Sequence, residues 1–561
     1  MLSADEAPPM SSIPPPPPVV TARHNPVFVR EMRQSARLLR TPFILMTVTA
    51  MTAFLLSAVG GIMMTSKVSP AEVGRALHHT FFSIAYFVVS LAGPTVSANS
   101  IAQEREGRTW EALLLTGLSP GVIARGKFTS AYTSVAMFIV SLAPVGALPF
   151  LFGGVTVVEV VLAFACLFLG AGLWVAFGLA VSSKMENLRA AIVVTLIVAV
   201  VTSPAIYGVG VSLSWAAHKQ WPAVPEGWPV WLPSALERAP FGWEYLGYLV
   251  LGPLVASALP AWFFYEVTLA NLTSVTDDRS TGIRRWFIVS AAVLAVGGAA
   301  VVVGAGGAGA GAAAAMAATY SWLLVLGTFT FAGEPIGPSR RVLARWEREG
   351  AGALDRALGP GVMRATTTSL AAGLGGLSLI TAAGLAGAGL WGGPSKALDS
   401  LALLIVATYT AGFFVFLAGV TAWLRARTNS VMTPRILLLV TLGLALVGPW
   451  VVAAIGGAMA GSLGHAPVVA APSPIYALVV AAELGGRTAT PDLGPILAAS
   501  IAAAAWALLG LTALVAAARR SGAIIAAYDA ALARGDELLA AEDARAAEGA
   551  RAAEGAQAAE G

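Results

Sequence analysis

The sequence predicts an all-α integral membrane protein with about twelve transmembrane helices in two six-helix halves and both termini in the cytoplasm. Three observations support this prediction: an apolar composition, a series of apolar segments of bilayer length, and an uneven distribution of arginine and lysine between alternate connecting segments. Together they favour a helical bundle in lipid over a soluble fold.

The composition is too apolar for a soluble protein. Of the 561 residues, 57% are hydrophobic and 11% are charged, and the mean hydropathy is +0.76. Soluble domains average about 45–50% apolar and about 25% charged residues, so we expect the excess to face lipid. The net charge of +4 is small, and the arginines do not alternate with aromatic residues as on a nucleic-acid-binding surface. The single cysteine, Cys166, excludes an internal disulfide, and neither a metal site nor a cofactor site is predicted.

Twelve apolar segments are long enough to cross a hydrocarbon core of roughly 30 Å. In the first half they lie near residues 42–64, 81–99, 128–150, 157–181, 189–211 and 243–270. In the second half they lie near residues 286–305, 312–332, 366–391, 398–422, 436–458 and 495–517. Between the seventh and eighth segments the chain has no polar turn. The glycines there are compatible with a tight outer hairpin or with an interruption in one long helix.

The basic residues predict the orientation. With the N-terminus inside and the segments alternating, 28 of the 34 arginine and lysine residues fall on inner segments. Such an excess is typical of cytoplasmic loops, and a missed or extra helix would destroy it. The other six residues, on outer segments, are Lys67, Arg75, Lys219, Arg238, Lys396 and Arg487.

The chain divides into four predicted regions. Residues 1–23 are proline-rich and predicted to be disordered. Residues 24–270 hold the first six-helix transmembrane domain, and residues 271–518 hold the second six-helix region. Residues 519–561 form a low-complexity cytoplasmic tail ending in ARAAEGARAAEGAQAAEG. A glycine at every sixth place is expected to interrupt a helix there.

A basic segment precedes the first span. Its arginines recur at spacings of three and four, with apolar residues between them, which indicates an amphipathic helix lying on the inner leaflet. An ordinary solvated segment is the alternative. The predicted membrane-interface residues are Arg30, Arg33, Arg37 and Arg40.

The spans carry almost no ionisable residues at mid-membrane, which disfavours an ion-coupled carrier. The absence of a His/Asp/Glu constellation disfavours a membrane enzyme, and no catalytic residue is predicted. Residues Gly121 to Lys127 fit the spacing GxxxxGK, but Phe128 stands where a phosphate loop needs serine or threonine, and no strand precedes it. We therefore expect any ATP hydrolysis to occur in a separate subunit.

The segment EREGRTWEALLLTGLSP, followed by RGK, lies between the second and third spans. Glu104 and Glu106 end one helix, Gly107 breaks it, and Thr109 is placed to cap a short amphipathic helix with Glu111 in its first turn. This pattern predicts a compact charged knob on two transmembrane helices. A plain solvated loop is the alternative.

This segment resembles the coupling loop of the permease subunits of type II ABC exporters, and Asn25-Pro26-Val27 with Arg30-Glu31 resembles their interfacial helix. Arg108 is an insertion relative to the family pattern. The resemblance implies a six-helix transmembrane domain and a loop that docks on an ATPase subunit. The residues that match the coupling pattern are Glu104, Glu106, Thr109, Glu111, Leu113, Leu114, Thr116, Leu118, Ser119, Gly126 and Lys127.

The resulting prediction is the permease subunit of an ATP-driven ABC exporter in a bacterial-type inner membrane. Its expected partners are the lipid bilayer and a cytoplasmic ABC ATPase, with a second permease copy left open and no nucleic acid. A non-transporting membrane scaffold or sensor with the same fold is the alternative. The second half lacks the coupling pattern, but its basic inner segment, residues 331–364, is a candidate second docking surface.

Overall fold

The regular elements in the described part of the chain are helices. Eleven of them are long and apolar enough to cross a membrane, or twelve if the bent pair Pro120–Ser141 and Ala143–Phe152 forms one span. The predicted all-α membrane fold is therefore confirmed, while the orientation of the termini stays a prediction. The computed structural model describes residues 25–36, 40–65, 68–224, 226–391, 397–428, 430–460, 467–485 and 492–560. The predicted disordered segment, residues 1–23, lies outside them.

The chain forms two compact units, Met1–Leu272 and Thr273–Gly561. The helices of the first unit are α1 (Pro26–Ala36), α2 (Arg40–Met64), α3 (Pro70–Glu106), α4 (Trp110–Leu115), α5 (Pro120–Ser141), α6 (Ala143–Gly146), α7 (Leu148–Phe152), α8 (Val157–Lys184), α9 (Leu188–Gln220), α10 (Leu232–Arg238) and α11 (Gly252–Leu272), with a π-helical turn at Tyr245–Leu251.

Local sequence determines where the long helices of this unit begin. Ser69 and Thr156 each form a reciprocal capping box with a glutamate three residues later, at the starts of α3 and α8. The side chain of Asn187 accepts hydrogen bonds from the first turn of α9. α3 and α8 then pack closely where Gly178 has no side chain. A Cβ atom there would lie 2.3 Å from the carbonyl oxygen of Pro94.

The helices of the second unit are α12 (Thr281–Gly304), α13 (Gly309–Phe331), α14 (Arg340–Glu349), α15 (Ala353–Leu358), α16 (Val362–Trp391), α17 (Ala397–Arg427), α18 (Met432–Ala460), α19 (Pro474–Gly485) and α20 (Leu493–Glu560). α12 and α13 are joined by a 3₁₀ turn at Gly306–Ala308. They form a hairpin, since the rings of Phe287 and Phe331, at opposite ends of the segment, lie 5.5 Å apart. The open choice between a hairpin and one interrupted helix is thus decided for the hairpin.

α17 and α20 make a backbone-to-backbone contact. A Cβ atom at Gly419 would lie 2.1 Å from the carbonyl oxygen of Gly510, so only glycine permits this approach. Beyond the membrane-length part, α20 continues as one helix to Glu560. The expected interruption at Gly549 is wrong, because alanine, glutamate and arginine on either side favour helix strongly enough to carry single glycines.

Candidate functional site, a loop anchored by buried charges

The first helix of the chain is fixed to the start of the third span. The Asn25 side chain donates a hydrogen bond to the carbonyl oxygen of Val122 at 2.7 Å and accepts one from the backbone N–H of Val27. A Cβ atom at Gly126 would lie 2.6 Å from Asn25 Oδ1 and 2.6 Å from Val27 Cβ. Glycine at this position therefore permits α1 to lie directly against α5.

A buried charge cluster lies beneath this contact. Lys127 has no exposed surface, and its Nζ lies 3.0 Å from Glu31 Oε1 and 3.1 Å from Glu104 Oε2. Nζ also donates to the carbonyl oxygen of Ser100 at 2.7 Å. Arg30 donates to the other oxygen of Glu104 at 2.8 Å. The two buried charges, Lys127 and Glu104, thus pair with each other, as buried charges require, and the partly exposed Arg30 and Glu31 complete the balance.

The cluster joins three sequence motifs that are far apart along the chain. Arg30 and Glu31 come from α1, Glu104 from the end of α3, and Lys127 from α5. The burial of Glu104 on α3 and of Lys127 on α5 therefore depends on charged groups that the other helices supply. This arrangement fixes the two ends of the α3–α5 loop, residues 107–119, against one another.

α4 lies within the α3–α5 loop and packs against the membrane helices through two apolar side chains, Trp110 and Leu113. Leu113 is 6% exposed and belongs to a small apolar cluster with Ile101, Ile123, Leu179 and Leu272. These four partners lie on α3, α5, α8 and α11. A displacement of α4 would therefore disturb an apolar cluster to which four spanning helices contribute.

The opposite face of α4 is open to solvent. Leu115 is 87% exposed, and Glu111 is also exposed. Arg108 precedes the helix with a positive φ of 56°, a conformation uncommon for residues other than glycine. The inserted arginine therefore forms the tight turn by which the chain leaves α3 and enters α4.

The remaining predicted loop residues stabilise turns. Glu106 accepts a hydrogen bond from the backbone N–H of Leu188 at 3.0 Å and so caps α9. The Thr109 hydroxyl donates to the carbonyl oxygen of Glu104 rather than accepting from α4. Thr116 likewise donates to a carbonyl oxygen one turn earlier, and Ser119 caps α5.

The two remaining leucines of the predicted motif are Leu114 and Leu118. Leu118 packs against the apolar cluster around Leu113. The side chain of Leu114 lies outside the described residues. The structure therefore divides the described part of the matched motif into side chains that anchor the loop and side chains that face solvent.

The four predicted interface arginines do not share one environment. Arg30 pairs with Glu104, so it serves the loop as well as the surface of α1. Arg33 lies exposed in the last turn of α1. Arg37 lies outside the described residues, and Arg40 begins α2 with a side chain that is likewise not described.

Sequence reasoning missed Asn25 and Glu31 as members of the site. Both belong to the motif that resembles the interfacial helix, but nothing in their local pattern shows that they meet a segment about a hundred residues later. Their partners Val122 and Lys127 lie 97 and 96 residues further along the chain.

Comparison with known protein families identifies a similarity over part of the first unit. Residues 61–232 match the family model described as ABC-2 family transporter protein, and this range includes α4 and Lys127. No curated protein matches the chain. The resemblance noted in the α3–α5 loop is confirmed, and the fold and the match together make the chain a multi-pass membrane protein. Over residues 61–232, its first unit is similar to the transporter proteins of the ABC-2 family.

Proposed function

We propose that this chain is the membrane-spanning permease subunit of an ATP-driven exporter in a bacterial-type inner membrane, and that a separate cytoplasmic ATPase docks on the α3–α5 loop. The observation that carries the proposal is the division of this loop into a buried anchor and an exposed face. Glu104 and Leu113 are buried, whereas Glu111 and Leu115 face solvent. The outward direction of transport rests on the resemblance to exporter permeases.

The geometry suits a loop that transmits motion. The Glu104 carboxylate forms ion pairs with Lys127 and Arg30. Its backbone carbonyl oxygen accepts a hydrogen bond from the backbone N–H of Thr109 at 2.9 Å. Leu113 and Trp110 then pack α4 into an apolar cluster that includes side chains of four membrane helices. A docked subunit that pushes on the exposed Leu115 would therefore move the inner ends of these helices. The motion is transmitted because the ion pairs of Glu104 and the packing of Leu113 connect α4 to them.

ATP hydrolysis is assigned to the partner for a physical reason. The segment with phosphate-loop spacing begins α5 as ordinary helix, capped by Ser119. Its lysine, Lys127, has no exposed surface and is already paired with Glu31 and Glu104. An ammonium held in this way is not available to a nucleotide phosphate. The energy for transport is therefore expected from a second protein.

Co-purification tests the proposal. The tagged full-length chain is purified from its native membrane in mild detergent, and any associated subunit is identified by mass spectrometry and by ATP hydrolysis. The double variant Glu111→Lys, Leu115→Asp changes only exposed side chains. Glu106 is avoided because it caps α9. The matched control is Glu537→Lys, Leu538→Asp, an exposed pair on α20.

The expected result is that the wild type and the α20 control retain the ATPase, whereas the α4 variant loses it. Interface hot spots typically contribute at least about 2 kcal/mol, so we expect the affinity to fall by at least about tenfold. A wild-type chain that purifies without any ATPase would contradict the proposal and favour the scaffold function. Equal ATPase retention by both variants would show that α4 is not the docking element.

The direction of transport needs a separate measurement. Inside-out membrane vesicles expose the cytoplasmic face, so an exporter should accumulate its cargo when ATP and the ATPase are supplied outside. Fluorescent lipids and apolar dyes are the first cargoes to test, because the predicted spans carry almost no ionisable residues at mid-membrane. Cargo leaving preloaded vesicles on addition of ATP would contradict export.

A further inference from the structure

The end of the second unit where α13 stops and α18 begins is rich in arginine. Guanidinium groups from the start of α12, the end of α17 and the start of α18 lie around Glu334. Arg284 Nη2 lies 3.1 Å from Glu334 Oε2, and Arg425 Nε donates a hydrogen bond to the Glu334 carbonyl oxygen at 2.7 Å. Arg435 lies against the preceding residue, since a Cβ atom at Gly333 would lie 2.6 Å from its Nη2. On the predicted orientation, this end of the unit faces the cytoplasm.

The buried Glu334 carboxylate is already paired with Arg284, which is 1% exposed. Its Oε2 also accepts a hydrogen bond from the Ser280 hydroxyl at 2.7 Å. Asp278, the other carboxylate close to Arg284, accepts a hydrogen bond from the backbone N–H of Ser280 at the start of α12. Both carboxylates therefore serve the first arginine of the group.

The other two arginines have neutral partners. Arg425 is buried, and it donates to the carbonyl oxygens of Glu334 and Thr428, each at 2.7 Å. Arg435 is half-buried, and it donates to the carbonyl oxygen of Thr330 at 3.2 Å. In the described part of the chain, neither arginine forms an ion pair with a carboxylate. Because a charge removed from water is costly without a counterion, an anion from outside the chain would be stabilising here.

Arg435 has donors left for such an anion. A guanidinium carries five N–H groups, and the hydrogen bond from Nη2 uses one of them. The buried Nε of Arg435 has no hydrogen-bond partner among the described residues. The guanidinium carbon lies 5.7 Å from the centre of the Phe329 ring, so the group packs against α13. Guanidinium binds phosphate through two parallel N–H···O bonds, which makes a phosphate group a suitable partner.

The surface beside Arg435 is apolar. Met432, Ile436 and Leu439 recur at spacings of four and three, so they share one face of α18, and all three are exposed. In a bilayer such a face contacts acyl chains. An anion bound at the end of this face is therefore expected to carry an apolar part, which a phospholipid has and inorganic phosphate lacks. Basic groups between helices at the cytoplasmic side are suited to anionic headgroups.

We propose that the second unit binds an anionic phospholipid of the inner leaflet at the adjoining ends of α13, α17 and α18. Arg435 would hold the headgroup phosphate, Arg425 would supply the second positive charge, and the acyl chains would lie along the exposed face of α18. This headgroup site does not depend on ATPase docking. It assigns a ligand to a half of the chain that lies beyond the matched family region, which ends at residue 232.

Lipid titration of the purified full-length chain tests the headgroup site. The protein is delipidated in detergent and titrated with phosphatidylglycerol or with phosphatidylcholine of the same acyl chains, and native mass spectrometry gives the bound lipids and their affinities. A third titration uses inorganic phosphate as a competitor of phosphatidylglycerol. The variants are Arg435→Gln and Arg435→Lys. Arg285→Gln, which removes an exposed arginine at the same end of α12, is the matched control. Circular dichroism checks that each variant is folded.

The wild type should bind phosphatidylglycerol at least about tenfold more tightly than phosphatidylcholine, because hydrogen bonds to charged groups are the strong ones. Arg435→Gln should remove most of this preference while the affinity for phosphatidylcholine stays unchanged. Arg435→Lys keeps the charge but not the planar fork, so its preference should lie between those of the wild type and Arg435→Gln. Arg285→Gln should bind both lipids as the wild type does. Inorganic phosphate at the lipid concentration should not displace phosphatidylglycerol.

Three results would overturn the inference. Equal affinity of the wild type for the two lipids would mean that no anionic headgroup is selected, and this comparison needs no variant to fold. An equal loss of preference in Arg285→Gln and Arg435→Gln would mean that general surface charge attracts the lipid. Displacement of phosphatidylglycerol by inorganic phosphate would mean that the arginines bind a free anion and that α18 contributes nothing.

Discussion

Replacing Lys127 by methionine tests whether the buried charge cluster anchors the α3–α5 loop. Methionine keeps an unbranched apolar chain of similar length but removes the ammonium group. The change deprives both Glu31 and Glu104 of their common partner at 3.0 and 3.1 Å. It also leaves the carbonyl oxygen of Ser100 without the hydrogen bond that Nζ donates.

The expected loss is large because Lys127 and Glu104 are buried. Lys127 is 0% exposed, and the side chains of Glu104 and Glu31 are 9% and 20% exposed, so solvent screens little of the interaction. Removing one partner of a buried ion pair costs about 3–5 kcal/mol. For a domain of this size each kcal/mol shifts the melting temperature by about 2–4 °C, which gives a decrease of roughly 6–20 °C.

The measurement is thermal unfolding of the full-length protein in one detergent, with two controls. Arg125→Met removes an exposed cation from the same helix and should change the melting temperature by no more than about 2 °C. Lys127→Met combined with Glu104→Gln removes one charge of each sign. This double variant should recover at least about 1 kcal/mol relative to the sum of the single changes.

Two outcomes would refute the reasoning. A Lys127→Met protein that melts within 2 °C of the wild type would mean that the lysine is not a structural anchor. Strictly additive losses in the double variant would mean that Lys127 and Glu104 do not interact, whatever their distance.

Three further predictions concern two close helix contacts and the buried pair of Arg284 with Glu334, each measured by the same thermal unfolding. Gly126→Ala should cost about 1–3 kcal/mol because its methyl group meets α1, whereas Gly121→Ala, which has open space, should be neutral or stabilising. Gly419→Ala should likewise destabilise the contact of α17 with α20, and Gly443→Ala on α18, also in open space, is its control. Equal effects within either glycine pair would contradict the packing argument. Arg284→Met should cost about 3–5 kcal/mol. A loss below 1 kcal/mol would show that Arg284 does not stabilise the segment that joins α13 to α16.

The helices themselves were predictable from sequence because bilayer thickness dictates their length. The predicted span at 157–181 lies within the observed Val157–Lys184, and the one at 398–422 lies within Ala397–Arg427. The segment around residue 305 was not predictable, because glycine and alanine fit a turn and a helix equally well. The packing of α12 against α13 favours the turn. Gly327 leaves room for the ring of Phe287 across the hairpin, since a Cβ atom there would lie 2.3 Å from that ring.

The site was predictable in location but not in the roles of its residues. The motif between the second and third spans marked the right segment, and Lys127 was among the matched residues. What the sequence could not show is that Lys127 points inward to Glu31, which lies 96 residues earlier. Contacts at that separation depend on how the helices pack, and no local spacing records them.

The motif contains side chains that hold the loop in place and side chains that face solvent. Comparing variants of the two groups distinguishes a loop that only folds from a loop that also binds the ATPase. Glu104 and Glu106 looked like docking residues because they are charged and lie at a helix end. Glu104 is buried in the charge cluster and Glu106 caps α9, so replacing either should lower stability and ATPase binding together. Glu111 and Leu115 face solvent, so replacing them should lower ATPase binding while the melting temperature stays unchanged. A loop that merely folds would show only the first pattern, whereas a loop that also docks a partner must show both.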